Sequence, residues 1–256
     1  MKLEFDARLA EKYTSPTQRT RVLTESWIHA HAYCPNCGSD ELGKYQNNRP
    51  VGDFYCSVCC EEFELKSTRN SLGAKVVDGA YQSMIKRIQN NEVPNFFALT
   101  YDSLGNRVSN LIAIPSHFFS ESVIERRKPL AATARRAGWT GCNILLKLIP
   151  VSGRIGIVVN SVPARKVDVL SAWKRMLFLR EQAKPEARGW LLDILRCIDS
   201  LGKQEFSLAD IYRCEAELQR LYPNNRNIKP KIRQQLQVLR DAGYLEFVWR
   251  GNYKVV

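Results

Sequence analysis

The alternation of apolar and polar positions divides the chain into an N-terminal part with mixed helices and strands and a C-terminal part rich in helices. Residues 16–32 are predicted to be helical because Ser15-Pro16 provides a cap and a first-turn proline. Helical spacing of apolar residues also predicts helices over 78–90 and 163–182. Short apolar runs predict strands at 51–55, 62–66, 95–101, 111–114, 144–146 and 155–159. This mixture predicts an α/β fold with helices packed on a central sheet.

A second pattern follows a predicted linker at residues 183–187. Apolar periodicity predicts helices at 189–201, at 207–221 and at 228–242. Residues 244–256 alternate around the turn Arg250-Gly251-Asn252, which predicts a hairpin. Three helices followed by a hairpin is the order of a winged helix-turn-helix, and the alternative is a generic three-helix domain. We therefore expect two domains, residues 1–182 and 183–256.

Composition and charge narrow the class of partner. The 256 residues carry 38 Lys and Arg against 26 Asp and Glu, a formal charge of +12. This excess favours a polyanionic partner, although a ribosomal or membrane-surface protein would also be basic. No stretch approaches the roughly 18 apolar residues of a membrane span, and the N-terminus, with Glu4 and Asp6, lacks the apolar segment of a signal peptide. We expect a cytoplasmic protein.

Four of the eight cysteines form two CxxC pairs. Cys34 and Cys37 are separated by eighteen residues from Cys56 and Cys59, a spacing typical of zinc sites. Four thiolates complete the tetrahedral coordination of Zn²⁺, so such a site is structural. Cys60 is an alternative to Cys59 as the fourth ligand, and a set of free buried thiols is the alternative to a metal site.

Two acids and a lysine flank the second CxxC pair. Glu64 and Lys66 are two residues apart in a predicted strand, so their side chains share a face. If this strand pairs with the one before the cysteines, Asp53 approaches Glu64. Their carboxylates and the backbone carbonyl of Leu65 are oxygen ligands suited to Mg²⁺. Lys66 would orient or help deprotonate the attacking water. The spacing D-x10-E-x-K also occurs by chance, and the alternative is a solvated strand face with an ion pair.

Two basic regions are candidate DNA-binding surfaces. The first contains Arg126, Arg127, Lys128, Arg135 and Arg136, followed by Trp139 in a glycine-rich turn. Basic side chains hold phosphates, and an aromatic ring flanked by small residues can lie against a base. The second contains Lys229, Lys231, Arg233, Gln234 and Gln235 near the start of the third C-terminal helix, with Arg250 in the hairpin turn. The alternatives are a solvated loop around a core tryptophan and a helix whose charges only increase solubility.

Longer strings of residues identify a family. They are YCPNCG (33–38), NNRPVGDFYC (47–56), EEFELKS (61–67), RKPLAATARRAGW (127–139) and KIRQQLQVLR (231–240). Together with the order Asp53, Glu64, Lys66 across a hairpin, they make the chain resemble the DpnI-like, methyl-dependent (type IIM) restriction endonucleases of the PD-(D/E)XK superfamily. The resemblance spans nearly the whole chain. One departure is that Val51-Gly52 separates Pro50 from Asp53.

The resemblance implies a fold, an activity and a substrate. The expected fold is a PD-(D/E)XK central sheet with an inserted four-cysteine zinc site, followed by a winged helix. Asp53 and Glu64 would bind Mg²⁺ and Lys66 would serve the water, so that a type II enzyme, expected to be monomeric in solution, hydrolyses double-stranded DNA. Its sites would be GATC sequences containing N6-methyladenine, cut in restriction defence to leave a 5′-phosphate.

Two other functions stay open. A zinc-ribbon and winged-helix transcriptional regulator without catalysis would share the basic charge, the four cysteines and the C-terminal domain. Only Asp53, Glu64 and Lys66, together with the family resemblance, separate it from a nuclease. A nuclease of the same fold with another target, such as a junction or an unmethylated site, is the third hypothesis.

Overall fold

A computed structural model describes residues 1–46, 52–102, 106–182 and 184–256. The first long helix, α1 (Pro16–His31), has its proline in the first turn as predicted and buries Trp27 and Ile28. The predicted strand 51–55 is shorter in the structure, and its residue Val51 lies outside the described residues, as do residues 47–50 of the family-specific strings.

A seven-stranded sheet forms the centre of the N-terminal part. The strands of this part are β1 (Gly43–Lys44), β2 (Phe54–Tyr55), β3 (Glu62–Arg69), β4 (Lys75–Ala80), β5 (Asn95–Tyr101), β6 (Val108–Ile114), β7 (Ile124–Arg126), β8 (Gly141–Leu145), β9 (Ile155–Val159) and β10 (Val162–Pro163). The central sheet has the order β1-β2-β3-β5-β6-β9-β10. Neighbouring strands are antiparallel except β3 and β5, which are parallel. The mixed α/β fold predicted from the sequence is confirmed.

A smaller sheet of order β4-β8-β7 changes one predicted boundary. The predicted helix 78–90 is wrong at its start, because residues 75–80 pair with β8 and the helix α2 spans Tyr81–Gln89. Asp78 therefore lies on a strand, opposite Cys142. Likewise β3 continues past the predicted end at residue 66, because its parallel pairing with β5 extends to Arg69 opposite Tyr101.

The C-terminal part forms the predicted winged helix-turn-helix. After α3 (Lys166–Arg175) and a 3₁₀ turn (Leu177–Glu181), its elements are α4 (Pro185–Ser200), β11 (Glu205–Ser207), α5 (Leu208–Ile211), α6 (Glu215–Leu221), α7 (Ile228–Asp241), β12 (Leu245–Trp249) and β13 (Asn252–Val255). Ser207 caps α5 through a capping box with Asp210. The predicted linker 183–187 is too long, because α4 already begins at Pro185. The predicted helix 207–221 is broken by a 3₁₀ turn (Tyr212–Cys214).

Two apolar clusters fill the two faces of the central sheet. Neighbouring residues of β5 point into different clusters, with Phe97 packing in the one that contains Trp27 and Phe96 in the other. The cluster that contains Phe96 extends from Met84 to Leu236 of α7, so the winged helix packs directly on the N-terminal part. Across the described residues, none of the helices has the length and apolar character needed to traverse a lipid bilayer.

Candidate functional site

The two CxxC segments lie side by side, one after α1 and one after β2. The sulfur atoms of Cys34, Cys37, Cys56 and Cys59 all lie within 4.8 Å of one another. The Sγ atoms of Cys34 and Cys59 are 3.5 Å apart, as are those of Cys37 and Cys56. A tetrahedral zinc with Zn–S bonds of about 2.3 Å would separate sulfurs by about 3.8 Å. The cluster therefore has the composition and dimensions of a site that could hold zinc.

Backbone N–H groups support this cluster. Those of Asn36 and Cys37 donate to the sulfur of Cys34, and Cys56 receives equivalent bonds from its own turn. Burial raises the pKa of the Cys34 thiol, because a single thiolate there loses its water shell. A dication among the four sulfurs would reverse that balance. Cys60 has a positive φ of 59° and is exposed outside the cluster, so the geometry favours Cys59 over Cys60 as the fourth ligand.

The hairpin β2–β3 extends from the cysteine cluster and carries the predicted acids. The Asp53 N–H donates to the Phe63 carbonyl at 2.8 Å, and the Asp53 carboxylate accepts a bond from the Leu65 N–H at 2.7 Å. The Lys66 ammonium donates to the Glu64 carboxylate at 2.5 Å. Asp53, Glu64 and Leu65 line one cavity of about 600 Å³. The pairing of these two strands, expected from the sequence, is thus present.

The Lys66 ammonium lies between two carboxylates. Besides Glu64 it contacts the Asp78 Oδ1 at 2.5 Å, and the Lys66 and Asp78 side chains are 19% and 8% exposed. Burial by itself would lower the pKa of Lys66, but the charges of Glu64 and Asp78 outweigh it and the net shift is upward. The ammonium is therefore held charged. Sequence reasoning missed Asp78 because it placed this residue at a helix start, and only exposure in the folded strand, not polarity in the sequence, alternates along β4.

Burial raises the pKa of Asp53, and the Leu65 N–H and the Lys66 and Arg21 charges oppose that shift. A carboxyl group whose charge is poorly solvated gains from a cation placed beside it. The acid is thus destabilised in its charged form by its own surroundings. A divalent cation beside the Asp53 carboxylate would stabilise this charged form.

Helix α1 contributes two charged residues to the same cavity. Glu25 is 6% exposed and forms ion pairs with Arg21 at 2.5 Å and with Lys44 at 2.7 Å. Arg21 and Glu25 both line the cavity with Asp53 and Glu64. The helix was predicted, but its contact with the hairpin was not, because no local pattern shows which elements pack together.

The first basic region is a loop between β7 and β8. The Leu130 N–H donates to the Trp139 carbonyl at 2.9 Å, and the Gly138 N–H donates back to the Leu130 carbonyl at 3.0 Å, so the loop is closed at its base. Its exposed basic residues are Arg126, Arg127, Lys128, Arg135 and Arg136, none of which has an acidic partner among the described residues. The half-buried Trp139 ring packs over Gly141, where a Cβ would lie 2.9 Å from the ring. The loop therefore presents unpaired positive charge beside an indole ring.

The second basic region lies on α7 and the hairpin that follows it. Lys229 pairs with Glu215 at 3.2 Å, and the Lys231 ammonium donates to Gln234 at 2.9 Å. Arg233 and Arg250 are exposed. Gln235 is only 5% exposed and packs in the core, one helical turn from the buried Ile232, so its side chain cannot reach a base edge.

The hairpin also exposes an aromatic residue that sequence reasoning missed. The Trp249 side chain is 66% exposed beside Arg250.

Two family models match the chain. The DpnI model, described as the Dam-replacing family, matches residues 1–182. The DpnI_C model, described as the Dam-replacing HTH domain, matches residues 186–255.

Proposed function

Since the chain belongs to the DpnI, or Dam-replacing, family of restriction nucleases, we propose that it is a Mg²⁺-dependent type II endonuclease that cuts double-stranded DNA at GATC sites containing N6-methyladenine. The observation that carries the proposal is the β2–β3 hairpin, where the Asp53 and Glu64 carboxylates line one cavity and the Lys66 ammonium contacts Glu64. A regulator that only binds DNA has no need of a buried lysine held at a pair of acids.

Asp53, Glu64 and the Leu65 carbonyl would hold the magnesium ion. Alternate residues of a strand direct their backbone polar groups to the same neighbour. The Phe63 carbonyl accepts from Asp53, and the Leu65 N–H donates to the Asp53 carboxylate, so the Leu65 carbonyl faces the same side. Two carboxylates and one carbonyl are hard oxygen donors of the kind Mg²⁺ prefers. When bound, the cation would supply positive charge at the scissile phosphate and make a water more acidic.

Lys66 would orient the attacking water and offset charge on the phosphate. The water oxygen bonds to phosphorus while the bond from phosphorus to the 3′ oxygen breaks, which leaves a 5′-phosphate and a 3′-hydroxyl. Asp78 would act as a positioning residue, because its carboxylate contacts the Lys66 ammonium from β4, a strand outside the hairpin. Zn²⁺ bound by the four cysteines would hold the other end of this hairpin.

Two surfaces would share recognition of the site, one in each of the proposed domains, 1–182 and 183–256. A single methyl group discriminates by only roughly 1–3 kcal/mol. The β7–β8 loop with Trp139 and the exposed face of α7 with Arg233 and Gln234 would each read the methylated sequence. Two selections in series would then protect unmethylated DNA better than one.

The test of the proposed activity is digestion of one plasmid prepared with and without adenine methylation. The methylated plasmid should be cut in Mg²⁺ and stay intact in EDTA, and the unmethylated plasmid should stay intact in both. Intact methylated plasmid in Mg²⁺, together with a gel shift on the same DNA, would instead favour the regulator. Equal cutting of both plasmids would favour a nuclease with another target.

A further inference from the structure

A second cavity, of about 400 Å³, lies where α4 packs on the N-terminal part. The lining residues that the structure describes are Ile88, Asn91, Val93, Ser116, His117, Phe119, Arg180 and Arg188. None of these is acidic, and none lines the cavity of Asp53 and Glu64. The N-terminal part supplies His117 and Asn91, and α4 supplies Arg188. The wall therefore combines two arginines and a histidine with no carboxylate.

Arg188 carries a buried charge that lacks a charged partner among the residues that the structure describes. The residue is 6% exposed, and its guanidinium donates through Nη1 to the neutral Asn91 Oδ1 at 2.7 Å. The Arg188 Nε–H is buried without a hydrogen-bond partner in the described part of the chain. Burial lowers the pKa of Arg188, which expresses the cost of the unsolvated cation. A guanidinium nevertheless stays protonated in proteins, so the site is electrostatically incomplete.

His117 lies in the same wall, and its ring is buried. It is 3% exposed, and within residues 1–46, 52–102, 106–182 and 184–256 neither Nδ1 nor Nε2 has a hydrogen-bond partner. Burial, with the charges of Arg180 and Arg188, lowers the pKa of His117 to about 3. The neutral ring offers one donor and one acceptor. Buried polar atoms in native proteins are nearly always hydrogen-bonded, so these atoms indicate a bound group.

We propose that this cavity binds a small tetrahedral oxyanion of the phosphate type, held by Arg188 and His117. Water would satisfy the hydrogen bonds but would leave the Arg188 charge uncompensated, whereas phosphate does both. Arg180, although paired with Glu61 at 2.6 Å, lines the same cavity and adds positive potential. Because the Arg188 residue is only 6% exposed, the site favours a small ligand over a duplex backbone, and we assign it to a free phosphate or the phosphate of a mononucleotide. The anion would contact both parts of the chain and stabilise their packing.

The histidines of the intact, zinc-loaded protein give a direct test, because the chain has only three. Inorganic phosphate is titrated at constant ionic strength while the ¹⁵N signals of the imidazole rings are followed. We expect the His117 signals to shift saturably and those of His29 and His31 to shift less. A parallel titration with deoxyadenosine 5′-monophosphate distinguishes a nucleotide from free phosphate. If neither titration shifts the His117 signals saturably, the proposal is overturned.

Thermal unfolding with matched variants gives a second test. Phosphate should raise the Tm of the wild-type protein, because a ligand that binds only the folded state stabilises it. Arg188→Gln should weaken the phosphate affinity at least about tenfold and suppress this rise. Arg213→Gln removes the same charge from a side chain that is 79% exposed and should leave the rise intact. An equal phosphate-dependent rise in Tm for Arg188→Gln and wild type would overturn the proposed site. If Arg188→Gln does not fold, the ¹⁵N titration of the wild-type protein decides alone.

Discussion

At the scale of single residues, the acids and the lysine of the β2–β3 hairpin can be tested by separate substitutions. Glu64→Gln keeps the shape of the side chain but removes its charge, and Lys66→Ala removes the ammonium. Each should lower the rate of DNA cleavage by about 10²-fold or more, the usual effect of losing an electrostatic or proton-transferring group. Single-turnover cleavage of a methylated duplex measures the rate, and a gel shift in Ca²⁺ should show near-normal binding.

Lys75→Ala is the matched control for the lysine. Lys75 also forms an ion pair, with Glu125, but its side chain is 51% exposed and lies at the start of β4. Exposed pairs of this kind contribute little to stability, so cleavage should stay near wild type. Cleavage by Glu64→Gln at the wild-type rate would place the metal site elsewhere.

Asp78 makes a different prediction, because it contacts the Lys66 ammonium rather than the proposed metal ligands. Asp78→Asn should lower kcat about tenfold or more with little change in KM, since the ammonium loses one of the two charges that position it. Asp78→Glu keeps the charge and should restore part of the rate. A loss of thermal stability with unchanged kcat would make Asp78 a structural residue only.

At the scale of elements, the cysteine cluster and the hairpin should fold as one unit. About one zinc per chain is expected from elemental analysis of protein purified without chelators. Cys59→Ser should lose most of this zinc and, with it, the order of the β2–β3 hairpin and the cleavage activity. Cys60→Ser is the control, because the neighbouring thiol lies outside the cluster. Full zinc occupancy in Cys59→Ser would show that another residue completes the site.

At the scale of the whole molecule, recognition involves two surfaces on one packed chain. Separate fragments are poor probes, because the apolar cluster runs from Met84 to Leu236 and cutting the chain would expose it. The full chain should carry the substitutions instead. We expect Trp139→Ala to lower the preference for methylated over unmethylated duplex, and Arg233→Ala with Gln234→Ala to do the same.

If the two surfaces read the site independently, the losses of binding free energy in the combined variant should add. Competition gel shifts on duplexes that differ only in adenine methylation measure this. Arg8→Ala, whose side chain is 83% exposed and pairs with Asp6, is the control. An unchanged methyl preference in the α7 variant would make the winged helix an electrostatic anchor only.

Several features follow from local sequence alone. The strand period of two places Glu64 and Lys66 on one face, and each CxxC turn brings its own two sulfurs together. The antiparallel pairing that brings Asp53 to Glu64 followed because the second turn connects their strands directly. The order of elements in the winged helix could also be predicted from the sequence, because each helix carries its own apolar periodicity.

Tertiary structure decided what connects elements distant in sequence. Asp78 reaches Lys66 only because β4 joins a second sheet rather than starting a helix. Glu25 reaches the cavity lined by Asp53 and Glu64 only because α1 packs on β3. The cavity of His117 and Arg188 has walls from segments about seventy residues apart. The burial of Gln235 depends on which face of α7 meets the core. Local patterns determine periodicity and turns, whereas these contacts depend on the packing free energy of the whole chain.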